Sequence, residues 1–134
     1  MRNIPMPNVL LIEDDAFTRG TLRTILENLS CDVTEAEDGA IGTLKMESRD
    51  FDLVVTDIFM PNQDGFETIR KIRRAKNDVC IVAISGESRN SEVNYLKMAE
   101  RIGADYAFVK PVCSEQLANI LGRLTEPATA CARS

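Results

Sequence analysis

Short apolar runs and amphipathic runs alternate along the chain. Val9 to Ile12 is wholly apolar and predicts a buried strand. Phe17, Leu22, Ile25, Leu26 and Leu29 then recur at helical spacing, and Asp15 is placed to cap that helix. Asp32 to Ala36 is a weaker strand, with Val33 its clearest core residue. Asp38-Gly39 makes a turn before a short helix carrying Ile41 and Leu44. Leu53 to Thr56 is a second buried run. Phe66, Ile69 and Ile72 mark a helix that Asp64 caps, with Glu67 three residues on completing a capping box. Val79 to Ile84 is a third buried run, and Val93, Leu96 and Ala99 suit one helix face. Ala107 to Val109 is a short last strand, followed by a helix with Leu117, Ile120, Leu121 and Leu124 on one side. The polar stretch Gly86 to Ser91 reads as a mobile loop. Thr125 to Ser134 has no periodicity and reads as a frayed tail.

The predicted order is βαβαβαβαβα. Strands buried on both faces read as unbroken apolar runs, and crossover helices force parallel pairing. The fold class is therefore α/β, an open doubly wound parallel sheet with right-handed crossovers. One domain is expected over residues 8–124, with a tail over 125–134. The length of 134 residues suits a single core.

Composition narrows the chemistry. Sixteen Lys and Arg against twenty-one Asp and Glu give a net charge of −5, so no bulk attraction to nucleic acid or to anionic lipid is expected. The chain has no histidine, which removes Ser-His-Asp and Cys-His nucleophiles, His-ligated zinc and any phosphohistidine donor role. Cys31, Cys80, Cys113 and Cys131 form no CxxC pair and read as small apolar residues, reduced in a cytoplasmic protein. No apolar run approaches membrane-spanning length.

In an open parallel sheet, ligands bind beyond the carboxyl ends of the strands. The residues that end the apolar runs here are Glu13-Asp14-Asp15, Asp57, Ser85 and Lys110. Carboxylates gathered at one crevice repel each other, and a cation must relieve them. Mg²⁺ is the natural one, since it takes one or two carboxylates together with waters and a phosphate oxygen. Without His or an activated Cys, the nucleophile that fits best is a carboxylate, which forms an aspartyl phosphate. Lys110 supplies a further positive charge and Ser85 a hydroxyl donor to a transferred group.

VLLIEDD at Val9 to Asp15, LVVTDIFMPNQDG at Leu53 to Gly65, AISG at Ala83 to Gly86 and GADYAFVKP at Gly103 to Pro111 together resemble response regulator receiver domains. The resemblance covers about Val9 to Leu124. It implies a flavodoxin-like five-stranded sheet in the order 2-1-3-4-5. It implies Asp57 as phosphoacceptor. Mg²⁺ would be held by Asp14, by Glu13 through water, by Asp57 and by the backbone carbonyl of Phe59. It also implies Ser85 as the switch hydroxyl, Lys110 as the phosphoryl-pairing lysine and a cis bond into Pro111. The position three residues before the lysine, often Tyr or Phe in the family, is Ala107. Strand alternation turns the neighbouring Tyr106 to the other side of the sheet.

Plainer readings hold for several residues. Asp15 and Asp64 read as helix caps. The basic run Arg70, Lys71, Arg73, Arg74 and Lys76 reads as a solvated face. Asp57 to Glu67 hints at a calcium loop, but its last Glu comes two residues after Gly65, where an EF-hand needs six. A haloacid dehalogenase site needs a second Asp where Phe59 stands. The expected function is a phosphoacceptor switch rather than a conventional enzyme, although it promotes its own phosphorylation and dephosphorylation. It would take its phosphoryl group from a histidine kinase or a histidine phosphotransfer protein. The charge would then shift the face made by the fourth helix, fifth strand and fifth helix toward a protein target. With no output domain expected after the tail, the chain would work alone or be a fragment of a longer regulator. The alternative is a phosphorylation-independent interaction module of the same fold.

Overall fold

The computed structural model describes residues 6–60, 62–75, 78–86 and 90–124. The elements are β1 (Asn8–Ile12), α1 (Ala16–Asn28), β2 (Asp32–Ala36), α2 (Gly39–Ser48), β3 (Leu53–Asp57), α3 (Gly65–Ala75), β4 (Cys80–Ser85), α4 (Asn90–Ile102), β5 (Tyr106–Val109) and α5 (Ser114–Leu124). All strands pair in parallel, in the order β2-β1-β3-β4-β5. β3 and β4 are buried at every residue, because helices cover both faces of the sheet.

Side-chain alternation sorts the sheet into two cores. Val9, Leu11, Val55 and Val82 pack with Leu22 and Leu26 of α1 and with Leu117 and Leu121 of α5. Leu10, Ile12, Val54 and Ile81 pack with Met46 of α2, Ile69 and Ile72 of α3 and Ala99 of α4. Each fully buried Leu or Ile stabilises the fold by about 1.5–3 kcal/mol.

The predicted elements form, but three helix faces differ from expectation. On α2, Leu44 is 65% exposed and Ile41 also reaches solvent, while Gly39, Gly42 and Met46 face inward. A Cβ on Gly42 would lie 2.4 Å from Ile12 Cδ1, so the absence of a side chain lets α2 lie close to β1. Phe17 is exposed in the first turn of α1, and the buried side of that helix is Leu22 and Leu26. On α3, Arg73 leaves the solvated face. Its guanidinium pairs with the buried Asp105 carboxylate and donates to the carbonyls of Gly103, at 2.9 Å, and Val79. Asp105 also accepts from the Ile81 N–H at 2.9 Å. The pair ties the end of α3 to the start of β4 and to the turn before β5.

Asp15 and Asp64 cap their helices as expected, but the capping box does not close, because Glu67 turns to Lys71 on its own helix. Asp64 accepts from the Glu67 N–H at 2.9 Å, while the Glu67 carboxylate lies 3.3 Å from Lys71 one turn on. Cys31 and Cys80 are buried and Cys113 is exposed. Burial pushes the Cys31 thiol up to about 11, which leaves it unreactive. Asn90 and Ser91 open α4 rather than belonging to a loop. Glu87 to Arg89, Lys76, Cys131, the Val93 side chain and the expected tail lie outside the described residues.

Asp105→Ala leaves the Arg73 guanidinium buried without its carboxylate. It is expected to lower the unfolding free energy by about 3–5 kcal/mol, read as a fall in the urea midpoint. Asp32→Ala removes the exposed partner of Arg49, 3.8 Å away, and is expected to cost less than about 1 kcal/mol.

Candidate functional site

Strand register assembles the site. Ile12 pairs with Thr56, so the next residues, Glu13 and Asp57, emerge side by side. Asp57 pairs with Ile84 and Ser85 with Val109, so Ser85 and Lys110 emerge on the same edge. The Lys110 N–H donates to the Ser85 carbonyl at 2.7 Å. From β1 the chain passes to α1 on one face, and from β3 to α3 on the other. Two loops that diverge in this way open a crevice at the switch point of the sheet.

The neighbouring loops are held by local bonds. Asp15 caps α1, accepting from the Thr18 N–H at 2.8 Å and the Thr18 hydroxyl at 2.7 Å. These bonds hold its carboxyl below the usual range. The buried Glu13 accepts from the Asp15 N–H at 3.0 Å through Oε2. Gly65 donates its N–H to the Ile58 carbonyl at 2.7 Å. A Cβ there would lie 2.4 Å from the Asp57 carbonyl oxygen, so only glycine lets α3 close against the strand end that carries Asp57.

Carboxylate oxygens of Glu13, Asp14 and Asp57 lie within 4.8 Å of one another. Lys110 Nζ sits 2.6 Å from Glu13 Oε1 and 3.4 Å from Asp57 Oδ2. Burial pushes the Asp57 carboxyl up to about 6, and the Glu13 charge adds to the rise. Lys110 and the Phe59 N–H pull it down again. Burial also favours neutral Lys110, but the Glu13 hydrogen bond and the two carboxylate charges outweigh it, so its ammonium is held above the usual range. Asp57 Oδ1 is buried with no hydrogen-bond partner among the described residues. That oxygen calls for an electropositive atom. With the exposed Asp14 at the rim, the three carboxylates form a hard, all-oxygen donor set that fits Mg²⁺.

Geometry thus brings Glu13, Asp14, Asp57 and Lys110 together, and register sets Ser85 beside them. Phe59 follows Asp57 by two residues, its ring 45% exposed. The ring meets Tyr95 of α4 edge-on, with centroids 5.0 Å apart. Tyr95 escaped the sequence reading because nothing sets it apart from the apolar positions around it. Gln63 escaped as well. It is buried, donates to the Thr43 and Thr68 hydroxyls at 3.0 Å each, and accepts from Lys71 at 2.9 Å. Tyr106 lies with Phe108 on the α1 and α5 side, and Ala107 faces the other core. The Lys110–Pro111 bond is cis.

A carboxyl raised from 3.8 to about 6 binds its proton more tightly in the folded chain than in the unfolded one. Its contribution is most favourable at low pH and is lost as pH rises through about 6. Asp57→Asn in EDTA is therefore expected to stabilise the chain at pH 7.5, by up to about 3 kcal/mol, and hardly at all at pH 4. Urea unfolding at the two pH values checks this.

A family model for the response regulator receiver domain matches residues 9–122. The aerobic respiration control protein ArcA of Escherichia coli K12 is 36% identical over 121 residues, covering 87% of this chain and 49% of that protein. The sensor protein EvgS of the same organism is 31% identical over 121 residues, covering 90% of this chain and 10% of its own length. The chain spans half or less of these relatives. Among solved structures, a chemotaxis response regulator of Vibrio cholerae is 26% identical, with a TM-score of 0.77 over 89% of this chain and 98% of that one. The receiver domain of a sensor histidine kinase from Pseudomonas aeruginosa PAO1 is 25% identical, with a TM-score of 0.78 over 88% and 96%. That structure carries a magnesium ion coordinated in its active-site cleft. A family model that spans nearly the whole chain, together with the 2-1-3-4-5 sheet and an acidic pocket suited to a phosphoacceptor, shows that this chain belongs to the response regulator receiver domains of two-component signalling.

Proposed function

We propose that Asp57 accepts a phosphoryl group from a phosphohistidine on a histidine kinase or a histidine phosphotransfer protein. The observation that carries this reading is the buried Asp57 carboxylate. One of its oxygens lies near Lys110, the other has no hydrogen-bond partner among the described residues, and both stand among the acidic side chains of Glu13 and Asp14. Absence of histidine agrees with a receiving role. The domain is assigned to residues 8–124, with a tail over 125–134. No described helix is long and apolar enough to cross a membrane.

An Asp57 oxygen attacks phosphorus. The new O–P bond forms as the P–N bond to the donor imidazole breaks, and the imidazole nitrogen takes up a proton. Lys110, already between Glu13 and Asp57, turns its ammonium to a phosphoryl oxygen. Ser85 donates its hydroxyl to another. Asp14, Asp57 and the Phe59 carbonyl, with Glu13 behind them, would hold Mg²⁺, which supplies neutralisation of the charge on the phosphoryl oxygens. The added negative charge then shifts the equilibrium of the face formed by α4, β5 and α5, which a protein target reads.

Ala107 favours a second reading, an interaction module that works without phosphorylation, since a methyl group cannot act as an aromatic switch. Intact-protein mass spectrometry after incubation with acetyl phosphate separates the two. The expected outcome is one added phosphoryl group, dependent on Mg²⁺ and lost in Asp57→Asn. Lys110→Ala should slow the addition about 100-fold. An unmodified native chain, sampled fast enough to catch a short-lived adduct, would leave only the interaction module.

A further inference from the structure

Phe59 has its backbone in the candidate site and its ring outside it. Its N–H favours the Asp57 carboxylate. The ring lies against Tyr95 of α4, with planes at 88° and centroids 5.0 Å apart. Phe66 of α3 flanks the same tyrosine at 6.2 Å. An edge-to-face pair is directional, because the positive edge of one ring seeks the negative face of the other. A shift of either backbone therefore changes the contact. Among the described residues no second aromatic bridge runs from β5 to α4. On the side facing α4 that strand presents Ala107 where a ring would be needed, and Tyr106 is turned to the opposite core, where Arg123 reaches its hydroxyl at 3.1 Å.

We propose that Tyr95 is the positioning residue that couples occupancy of the Asp57 site to α4 through the ring of Phe59. The inference rests on the function proposed above and adds the route by which that site is read. Coupling between two places is reciprocal. If occupancy moves the Phe59 backbone and hence Tyr95, then a change at Tyr95 alters how well the site holds Mg²⁺ and how long Asp57 keeps its phosphoryl group. The effect is bounded by the contact itself, about two- to tenfold in an equilibrium constant.

The chain has two tyrosines and no tryptophan. In a Tyr106→Phe background, tyrosine emission therefore reports Tyr95 alone. Mg²⁺, and then acetyl phosphate, are expected to change that emission. Phe59→Ala, which keeps the backbone carbonyl, should abolish the change while mass spectrometry still records the phosphoryl group. In the native background, Tyr95→Leu and Phe59→Ala are each expected to shift the Mg²⁺ dissociation constant, by calorimetry, and the phosphoryl lifetime about two- to tenfold. The double variant should go no further than either single one. Emission indifferent to a recorded phosphorylation would overturn the coupling alone. So would additive single effects, or a Tyr95→Leu chain that loses thermal stability with Mg²⁺ affinity and lifetime unchanged. A native chain that takes neither Mg²⁺ nor a phosphoryl group would overturn both the coupling and the function it rests on.

Discussion

Repulsion among carboxylates is the constraint around which this molecule is arranged. Glu13, Asp14 and Asp57 crowd into a few ångströms, two of them buried. A low-dielectric edge of a sheet is an unfavourable place for such charges. What makes it tolerable is Lys110, which arrives from β5 and reaches both Glu13 and Asp57. The lysine depends in turn on the register of β5 against β4, and Glu13 and Asp57 on the register of β1 against β3. Four strands must therefore be in place before the charges balance. The balance is incomplete, since Asp57 Oδ1 keeps no hydrogen-bond partner among the described residues. That deficit fits the cation and the phosphorus centre proposed for the site.

The rest of the structure holds this edge steady and separates its two sides. At the opposite end of the sheet, the Arg73–Asp105 pair fastens α3, β4 and the turn into β5. At the near end, Gly65 admits α3 against the Asp57 backbone. Strand alternation assigns Tyr106 and Phe108 to the core under α1 and α5, and Ala107 to the core under α3 and α4. Aromatic material next to the site on the α4 side therefore comes from Phe59, Phe66 and Tyr95 rather than from β5.

Much of this was legible in the order of residues. A strand buried on both faces needs an unbroken apolar run, so Val9 to Ile12, Leu53 to Thr56 and Val79 to Ile84 announced themselves. Polar residues that end such runs must gather at one edge of a parallel sheet, which marked Glu13, Asp14, Asp57, Ser85 and Lys110 without any coordinates. Alternation along β5 placed Tyr106 and Ala107 on opposite faces in the same way. Caps at Asp15 and Asp64 followed from purely local bonding.

Helix faces were less legible, because a helix buries whatever side its neighbours approach. Ile41 and Leu44 carry the apolar signal of α2, yet glycines face the sheet because β1 comes close there. Arg73 looks like its solvated neighbours until Asp105, far along the chain, is folded against it. Tyr95 gains meaning only when α4 is laid beside the loop after β3. By itself, then, the sequence determined the strands, their parallel order of travel and the chemistry at their ends. Periodicity and chain connectivity are local properties, and both are written in consecutive residues. Tertiary structure decided which helix faces are buried, which charges are paired and which aromatic rings meet, because each of these depends on distances between residues remote in the chain.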